Sequence, residues 1–293
     1  MPSPIVTSIP PVFSRKDAEG REIGEAYLAR CVQSWRDCGF DPVTVNSVNE
    51  ALHPLIATLG IRVERVPRDA AAITGRPHVF LQDLLDAARR VCGERVFITN
   101  ADIELEMTSD ASARVARLGP MQALALRRRD HNGEKNLDTV PYDSGVDLLG
   151  VGRSALEGID AGALVFGMPW WDHFVPLMLL WRGAEVAPGS GALAWHLDHD
   201  GRWNKKQYIR SGQEFLRLID AVPADMRRDP WVSDHVARLR RIRRGAYGTN
   251  LARQVEARLV AHLMPRARIH IRRVLRETSL ANTAVLDRIT GGA

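Results

Sequence analysis

Short apolar runs and amphipathic stretches alternate about four times over the first 126 residues. Ile5 to Ile9 is a β-prone run closed by Pro10-Pro11, which cannot donate into a sheet ladder. From about Ala18 to Cys38, Ile23, Ala26, Tyr27, Arg30, Cys31 and Ser34 or Trp35 recur at helical spacing, and Gly39 stands where a C-cap glycine belongs. Pro42 to Asn46 reads as a second strand. A helix carrying Leu52, Leu55, Ile56 and Leu59 then stops at Gly60, and Ile61 to Val66 reads as a third strand. Pro77 to Val91 is an amphipathic helix, Arg95 to Thr99 a fourth strand and Met121 to Leu126 a further one. The alternation predicts βαβ units and a mostly parallel sheet in an α/β fold, with ligands beyond the carboxyl ends of the strands.

The second half is less regular. Asp130 to Ser144 is polar and reads as a long, mobile loop. Asp147 to Gly150, Leu164 to Phe166 and Glu185 to Ala187 are candidate short strands, with a helix from about Trp170 to Gly183 between the last two. Tyr208 to Ile219 reads as a helix, and the arginine-rich end as two more, roughly 231–245 and 250–276.

The composition, 45% hydrophobic and 26% charged over 293 residues, is that of an ordinary globular protein. No apolar stretch reaches the roughly 20 residues that span a bilayer; the most hydrophobic segment, Phe166 to Trp181, is broken by Asp172 and His173. The opening MPSPIVTSIPPVF does not read as a signal peptide. Cys31, Cys38 and Cys92 form no CxxC, which points to reduced thiols in the cytoplasm. The net charge of +5 is uneven: from Asp234 to Arg276, twelve arginines are opposed only by Asp234 and Glu256.

The candidate chemistry begins where the fourth strand runs into Asn100-Ala-Asp102-Ile-Glu104. In an extended segment Asp102 and Glu104 share a side, and such a pair can hold Mg²⁺ or Mn²⁺ across a diphosphate; the plain alternative is a strand end with solvated acids. His196 and His199, interleaved with Asp198 and Asp200, are candidate ligands to the same cation or part of a polar surface loop. In Gly167-Met-Pro-Trp170-Trp171-Asp172-His173, the paired indoles offer faces for sugar rings and Asp172 a general base; the structural alternative is a helix start opened by Pro169. Asp147 is a second candidate carboxylate. Arg15 and Arg76 flank element ends where cations could neutralise a diphosphate; the plain alternative is solvated surface arginines. No GxGxxG follows the first strand and GxxxxGK[ST] is absent, which argues against a Rossmann dinucleotide enzyme and a P-loop NTPase. Without a GxSxG elbow the serine-hydrolase reading loses its main support.

In this order, Thr7-Ser8-Ile-Pro-Pro11, Ser34-Trp35, Gly39-Phe40, Val45-Asn46, Asn100 to Glu104, Gly145 to Leu148, Gly167 to Asp172 and His196 to His199 resemble GT-A type glycosyltransferases over about residues 4–215. The resemblance implies a GT-A-like mostly parallel sheet flanked by helices. It divides the chain into a catalytic domain over 1–220, with a nucleotide-sugar-binding half (1–126) and an acceptor half (127–220), and a basic helical extension over 221–293. Carried over, donor binding falls on Ser8, Arg15, Asn46, Arg76, Asn100 and Asp102. Metal binding falls on Asp102, Glu104 and His196 or His199, catalysis on Asp172 or Asp147, and acceptor binding on Trp170 and Trp171. The implied partners are a nucleotide-sugar, Mn²⁺ or Mg²⁺, and a carbohydrate or lipid-linked acceptor. Separately, the arginine-rich helices could bind an anionic membrane surface, which would set a cytoplasmic protein at the inner face of the membrane; the alternative is a solvated helical appendage or an oligomer contact.

Two other readings compete. A sugar-phosphate nucleotidyltransferase would carry a glycine-rich basic loop after the first strand, where this chain has Ile9-Pro-Pro-Val-Phe-Ser-Arg15. A non-catalytic scaffold would act through the arginine helices, although few aromatics interleave them and no nucleic-acid motif accompanies them.

Overall fold

The computed structural model describes residues 2–143, 145–199, 204–224, 226, 229–247 and 265–291. Ser144, Asp200 and the part of the expected 250–276 helix before 265 lie outside the described residues. In chain order the first half holds β1 (Ser3–Thr7), α1 (Gly24–Asp37), β2 (Phe40–Ser47), α2 (Pro54–Thr58), β3 (Arg62–Val66), α3 (Ala71–Thr74), α4 (Leu81–Val91), β4 (Arg95–Thr99), β5 (Ile103–Met107), α5 (Ser109–Ala116), β6 (Gln122–Leu126) and β7 (Arg128–His131). The second half holds β8 (Leu148–Gly152), α6 (Arg153–Leu156), α7 (Trp171–Trp181), β9 (Glu185–Pro188), β10 (Ala192–Leu197), α8 (Lys205–Asp220), α9 (Pro230–Tyr247) and α10 (Pro265–Thr290).

Seven strands form one sheet in the order β3-β2-β1-β4-β8-β6-β9. All neighbours are parallel except β8, which runs antiparallel to β4 and β6. The central strands are buried on both faces, as helix-covered sheets require, and their side chains alternate between two cores. Ile5 and Phe97 face a cluster with Tyr27, Leu28 and Trp35 of α1. Val6, Val96 and Ile98 face the larger cluster, with Leu84 of α4 and Phe174 of α7. This is the expected α/β class, a mostly parallel sheet flanked by helices and followed by C-terminal helices.

A second sheet, β5-β10-β7, stands beyond the carboxyl ends of the first. It replaces several sequence expectations. The segment after Thr99 does not continue as one strand: Ala101 and Asp102 form a turn and Ile103 starts β5 in the other sheet. The expected loop from Asp130 begins as strand β7, because His196 of β10 pairs with Asp130 in parallel register. Leu164 to Phe166 makes no strand, only a single bridge between Val165 and Phe80. The helix expected from Ala18 starts at Gly24, because Glu22 accepts from the amides of Arg15 (2.9 Å) and Gly24 (2.8 Å) and closes residues 15–23 into a loop. Gly24 is required there: a Cβ would lie 2.0 Å from the Phe13 carbonyl oxygen.

The C-terminal helices pack into the main core. Val232, Val236 and Leu239 of α9 and Val274, Leu275, Val285 and Leu286 of α10 join the larger cluster, and Arg127 after β6 pairs with Asp287 of α10 at 2.7 Å. No described helix is long and apolar enough to cross a membrane. α8 meets α10 so closely at Gly212 that a Cβ would stand 2.4 Å from Leu275. Gly212→Ala is therefore expected to lower stability by about 1–3 kcal/mol through overpacking, read as a lower urea midpoint at unchanged m-value.

Candidate active site

The chain leaves β1 toward β2 and β3 on one side and returns to β4 on the other, so the sheet has its switch point between β1 and β4. Ligands of open α/β sheets bind at this place, beyond the carboxyl ends of the strands. A cleft of about 740 Å³ opens here. Ser8 after β1 and Asn100, Ala101 and Asp102 after β4 line it, with the second sheet and α7 opposite.

Three elements bring Asp102, His196 and His199 together, with their ligand atoms all within 4.8 Å of one another. Asp102 Oδ2 lies 3.4 Å from His196 Nε2 and 3.5 Å from His199 Nε2. These separations exceed the roughly 2.7–3.2 Å of an N–H···O hydrogen bond. They match two ligands each about 2.1 Å from one ion at a near-tetrahedral angle, which stand about 3.4 Å apart. His196 Nδ1 lies 2.7 Å from Asp130 Oδ1, which turns Nε2 toward Asp102 in the carboxylate–histidine arrangement common behind metal ligands. The donor set thus fits a divalent cation.

The electrostatics of the triad agree. Burial would raise the Asp102 carboxyl, but His196, His199 and Arg15 outweigh it and hold it well below the usual carboxylate range. Burial would lower His196, but Asp102 and Asp130 raise it to about 9. A cation must displace that proton, so its affinity should rise with pH. Arg15, only 3% exposed, reaches the same Asp102 carboxylate and leaves it lone pairs for a cation.

Across the cleft stand two acids. Asp147, 2% exposed, accepts from Arg128 Nη1 at 2.9 Å and from Asn100 Nδ2 at 3.4 Å. Asp172 sits in the first turn of α7, its carboxylate packed against Gly145, where a Cβ would come within 2.1 Å of Oδ2. Burial, and then the charge of Asp147, push the Asp172 carboxyl up to about 7. Burial holds the neighbouring His173 down to about 4 and therefore neutral. Trp170, just before α7, has φ +84°, a left-handed conformation that is uncommon outside glycine and here sets the entry to the helix.

Of the residues singled out in the sequence, Ser8, Arg15, Arg76, Asn100, Asp102, Asp147, Trp170, Trp171, Asp172, His196 and His199 all line this cleft. Asn46 does not: it is buried, its amide donates to Ile9 O (2.8 Å) and Glu50 Oε2 (2.7 Å), and it shapes the loop after β1. Glu104 lies on β5 rather than beside Asp102, paired with Lys135 at 2.8 Å and Arg30 at 3.3 Å. Trp170 and Trp171 are 2% and 3% exposed and belong to the core, so neither offers an open indole face for a sugar. The sequence patterns passed over Arg128, Asp130, Tyr142, Tyr208 and Ser279. Only the pairing of β7 with β10 and the docking of α8 and α10 bring these residues to the site.

No family model and no curated protein matches the chain. Among solved structures it is similar to a nucleotidyl transferase from Methanothermobacter thermautotroptrophicus, at 15% identity over 75% of this chain and 96% of that one, with a TM-score of 0.36. It is also similar to the inositol-1-phosphate CTP transferase from T. maritima (15% identity, 73% and 96% covered, TM-score 0.37). A third is a protein from Desulfovibrio desulfuricans G20 described as a nucleotide-diphospho-sugar transferase (14% identity, 79% and 92% covered, TM-score 0.38). At such low scores and identities these likenesses assign no activity, and the α/β architecture stands on the strand order itself.

The raised carboxyl of Asp172 has a consequence for stability. The folded state keeps its proton up to about pH 7, while the unfolded chain releases it near 3.8, so folding loses stability as pH rises between the two. Asp172→Asn is expected to gain in melting temperature over the metal-free parent on going from pH 5 to pH 8. A constant difference across that range would contradict the assignment.

Proposed function

We propose that the protein is a glycosyltransferase that moves a sugar from a nucleoside diphosphate sugar to an acceptor hydroxyl. In this reading Asp102, His196 and His199 hold Mn²⁺ or Mg²⁺. The observation that carries it is the carboxylate–imidazole triad beyond the carboxyl ends of β1 and β4, where an α/β sheet binds its ligand. When bound, the cation would neutralise charge growing on the departing diphosphate.

The chain's own residues divide the remaining work. Arg15 stands beside Asp102 as a buried cation for the diphosphate, with Arg76 exposed farther along the cleft. Ser8 and Asn100 offer hydrogen bonds at the two strand ends. Asp172, with its carboxyl near 7, accepts the proton of the acceptor hydroxyl, because a general base works best close to the operating pH. Asp147 contributes to that value through its charge. Tyr142 lies over Arg128 at the cleft, so residues 132–143 are the candidate cover that keeps water from the donor.

The acceptor enters from the side of α7, α8 and α10. Ser279 of α10 lines the cleft, and Arg272 and Arg276 on the same helix are exposed. A carbohydrate or lipid-linked acceptor presented at an anionic surface fits that side, which would make the protein peripheral to a membrane.

The test is a panel of UDP, GDP, CDP and TDP and the matching triphosphates, each with and without Mn²⁺, read as thermal stability. At a hundredfold excess over Kd, one diphosphate should stabilise the fold by about 2.7 kcal/mol in a metal-dependent way, and Asp102→Ala should abolish the gain. Stabilisation by a triphosphate in preference to every diphosphate would point instead to nucleotidyl transfer. No response to any nucleotide would contradict both.

A further inference from the structure

Arg128 stands outside every motif of the sequence, yet its guanidinium spans two acids that serve different parts of the cleft. Its Nε donates to Asp130 Oδ1 at 2.7 Å and its Nη1 to Asp147 Oδ1 at 2.9 Å. The Tyr142 ring covers it, with the guanidinium carbon 3.9 Å from the ring centroid, and the Arg128 carbonyl accepts from the Tyr142 amide at 2.8 Å. Asp130 continues to the triad, because the same Oδ1 lies 2.7 Å from His196 Nδ1. Asp147 continues to the base through the residues just before it: the Val146 amide donates to the Asp172 carbonyl at 3.2 Å and Gly145 abuts the Asp172 carboxylate. A planar, always-charged fork fixes the direction of its bonds to two acids. An ammonium can also reach two acids, as Lys135 does with Glu104 and Glu106, but it rotates freely and fixes neither direction.

We infer that Arg128 is a positioning residue whose one guanidinium holds both the imidazole of the cation triad and the carboxylate beside the candidate base. The inference rests on the reading of the cleft proposed above, but its parts are separable from it. Without the guanidinium, Asp130 loses one of the two groups that orient it, and His196 loses the fixed orientation of its ring. Removing the orienting shell behind a metal ligand typically weakens binding about 10- to 100-fold. On the other side, Asp147 would be a buried acid without its countercharge, and ionising Asp172 next to it would become harder. Among the described residues, the titratable groups that act on Asp172 are Asp147 and Arg128 from the β8 and β7 side and Tyr208 from α8. The next residue on its helix, His173, is neutral and contributes its backbone amide.

Two readouts on the purified full chain test this without measuring turnover. One is the carboxyl NMR titration of Asp172 in metal-free protein, assigned with Asp172→Asn. The other is Mn²⁺ binding by calorimetry. Arg128→Met should raise the Asp172 midpoint by about one pH unit or more and weaken Mn²⁺ about tenfold or more. Arg128→Lys should keep the midpoint near its original value, because the charge is retained, and still bind Mn²⁺ weakly, because a rotating ammonium does not fix the direction of Asp130 as the planar fork does. Should the methionine variant not fold, this split in the lysine variant decides the matter. A folded variant in which neither readout moves would overturn the inference. So would a lysine variant that restores neither, since a merely structural role behaves that way. If the parent protein binds no Mn²⁺, the cation reading of the cleft falls, and Arg128 is judged on the Asp172 titration alone, where an unchanged midpoint overturns it.

Discussion

The hydroxyl of Tyr27 holds the two sheets in the relation that makes a site. It donates to the Asp102 carbonyl at 3.1 Å and accepts from the Leu197 amide at 2.8 Å, which ties the turn after β4 to the residue after His196. Tyr27 is fully buried on α1, and burial keeps its hydroxyl protonated well above the ordinary range. Two neighbours on α1 reinforce it: Trp35 Nε1 donates to Ile103 O at 2.8 Å, and Ser34 Oγ accepts from the Leu105 amide at 2.9 Å. The antiparallel pairing of β5 with β10 sets His196 opposite Ile103, one residue from Asp102. Buried backbone groups must find partners, so this small set of hydrogen bonds fixes the register that the triad requires.

From that register the site divides into two charged halves. On one side, Asp102 with its imidazoles and Arg15 forms a centre suited to a cation and a diphosphate. On the other stand Asp147, paired with Arg128, and Asp172, whose carboxyl burial pushes up to about 7. Arg128 stands between them. The C-terminal helices close one side of the cleft, through the contact of Gly212 with α10 and the placement of Ser279 on the cleft.

Much of this was legible in the sequence, because it lies where local pattern and position agree. The strand Arg95 to Thr99 matches its expected bounds, and strands end where ligands bind, so Asp102 was a sound candidate before any coordinates. The spacing of His196 and His199 made them candidate ligands beside the reading as a polar surface loop, and only the pairing of β10 with β5 sets them near Asp102. Glu104 misled because period-two alternation assumes one continuous strand, whereas the chain turns at Asp102 and changes sheet. Trp170 and Trp171 misled because large indoles serve a core as well as a sugar, and only the docking of α8 and α10 decides which. Arg128 and Asp130 were illegible for a related reason. A polar four-residue strand has no hydrophobic signature and exists only because β10 pairs with it.

The most direct test of the cation site is electron paramagnetic resonance of Mn²⁺ added to the purified protein, with detection of coupled nitrogen nuclei. Two imidazole nitrogens on the bound ion, reduced to one in either His196→Ala or His199→Ala, is the predicted result. Mn²⁺ bound through oxygen alone, or no bound Mn²⁺ at all, would contradict the account.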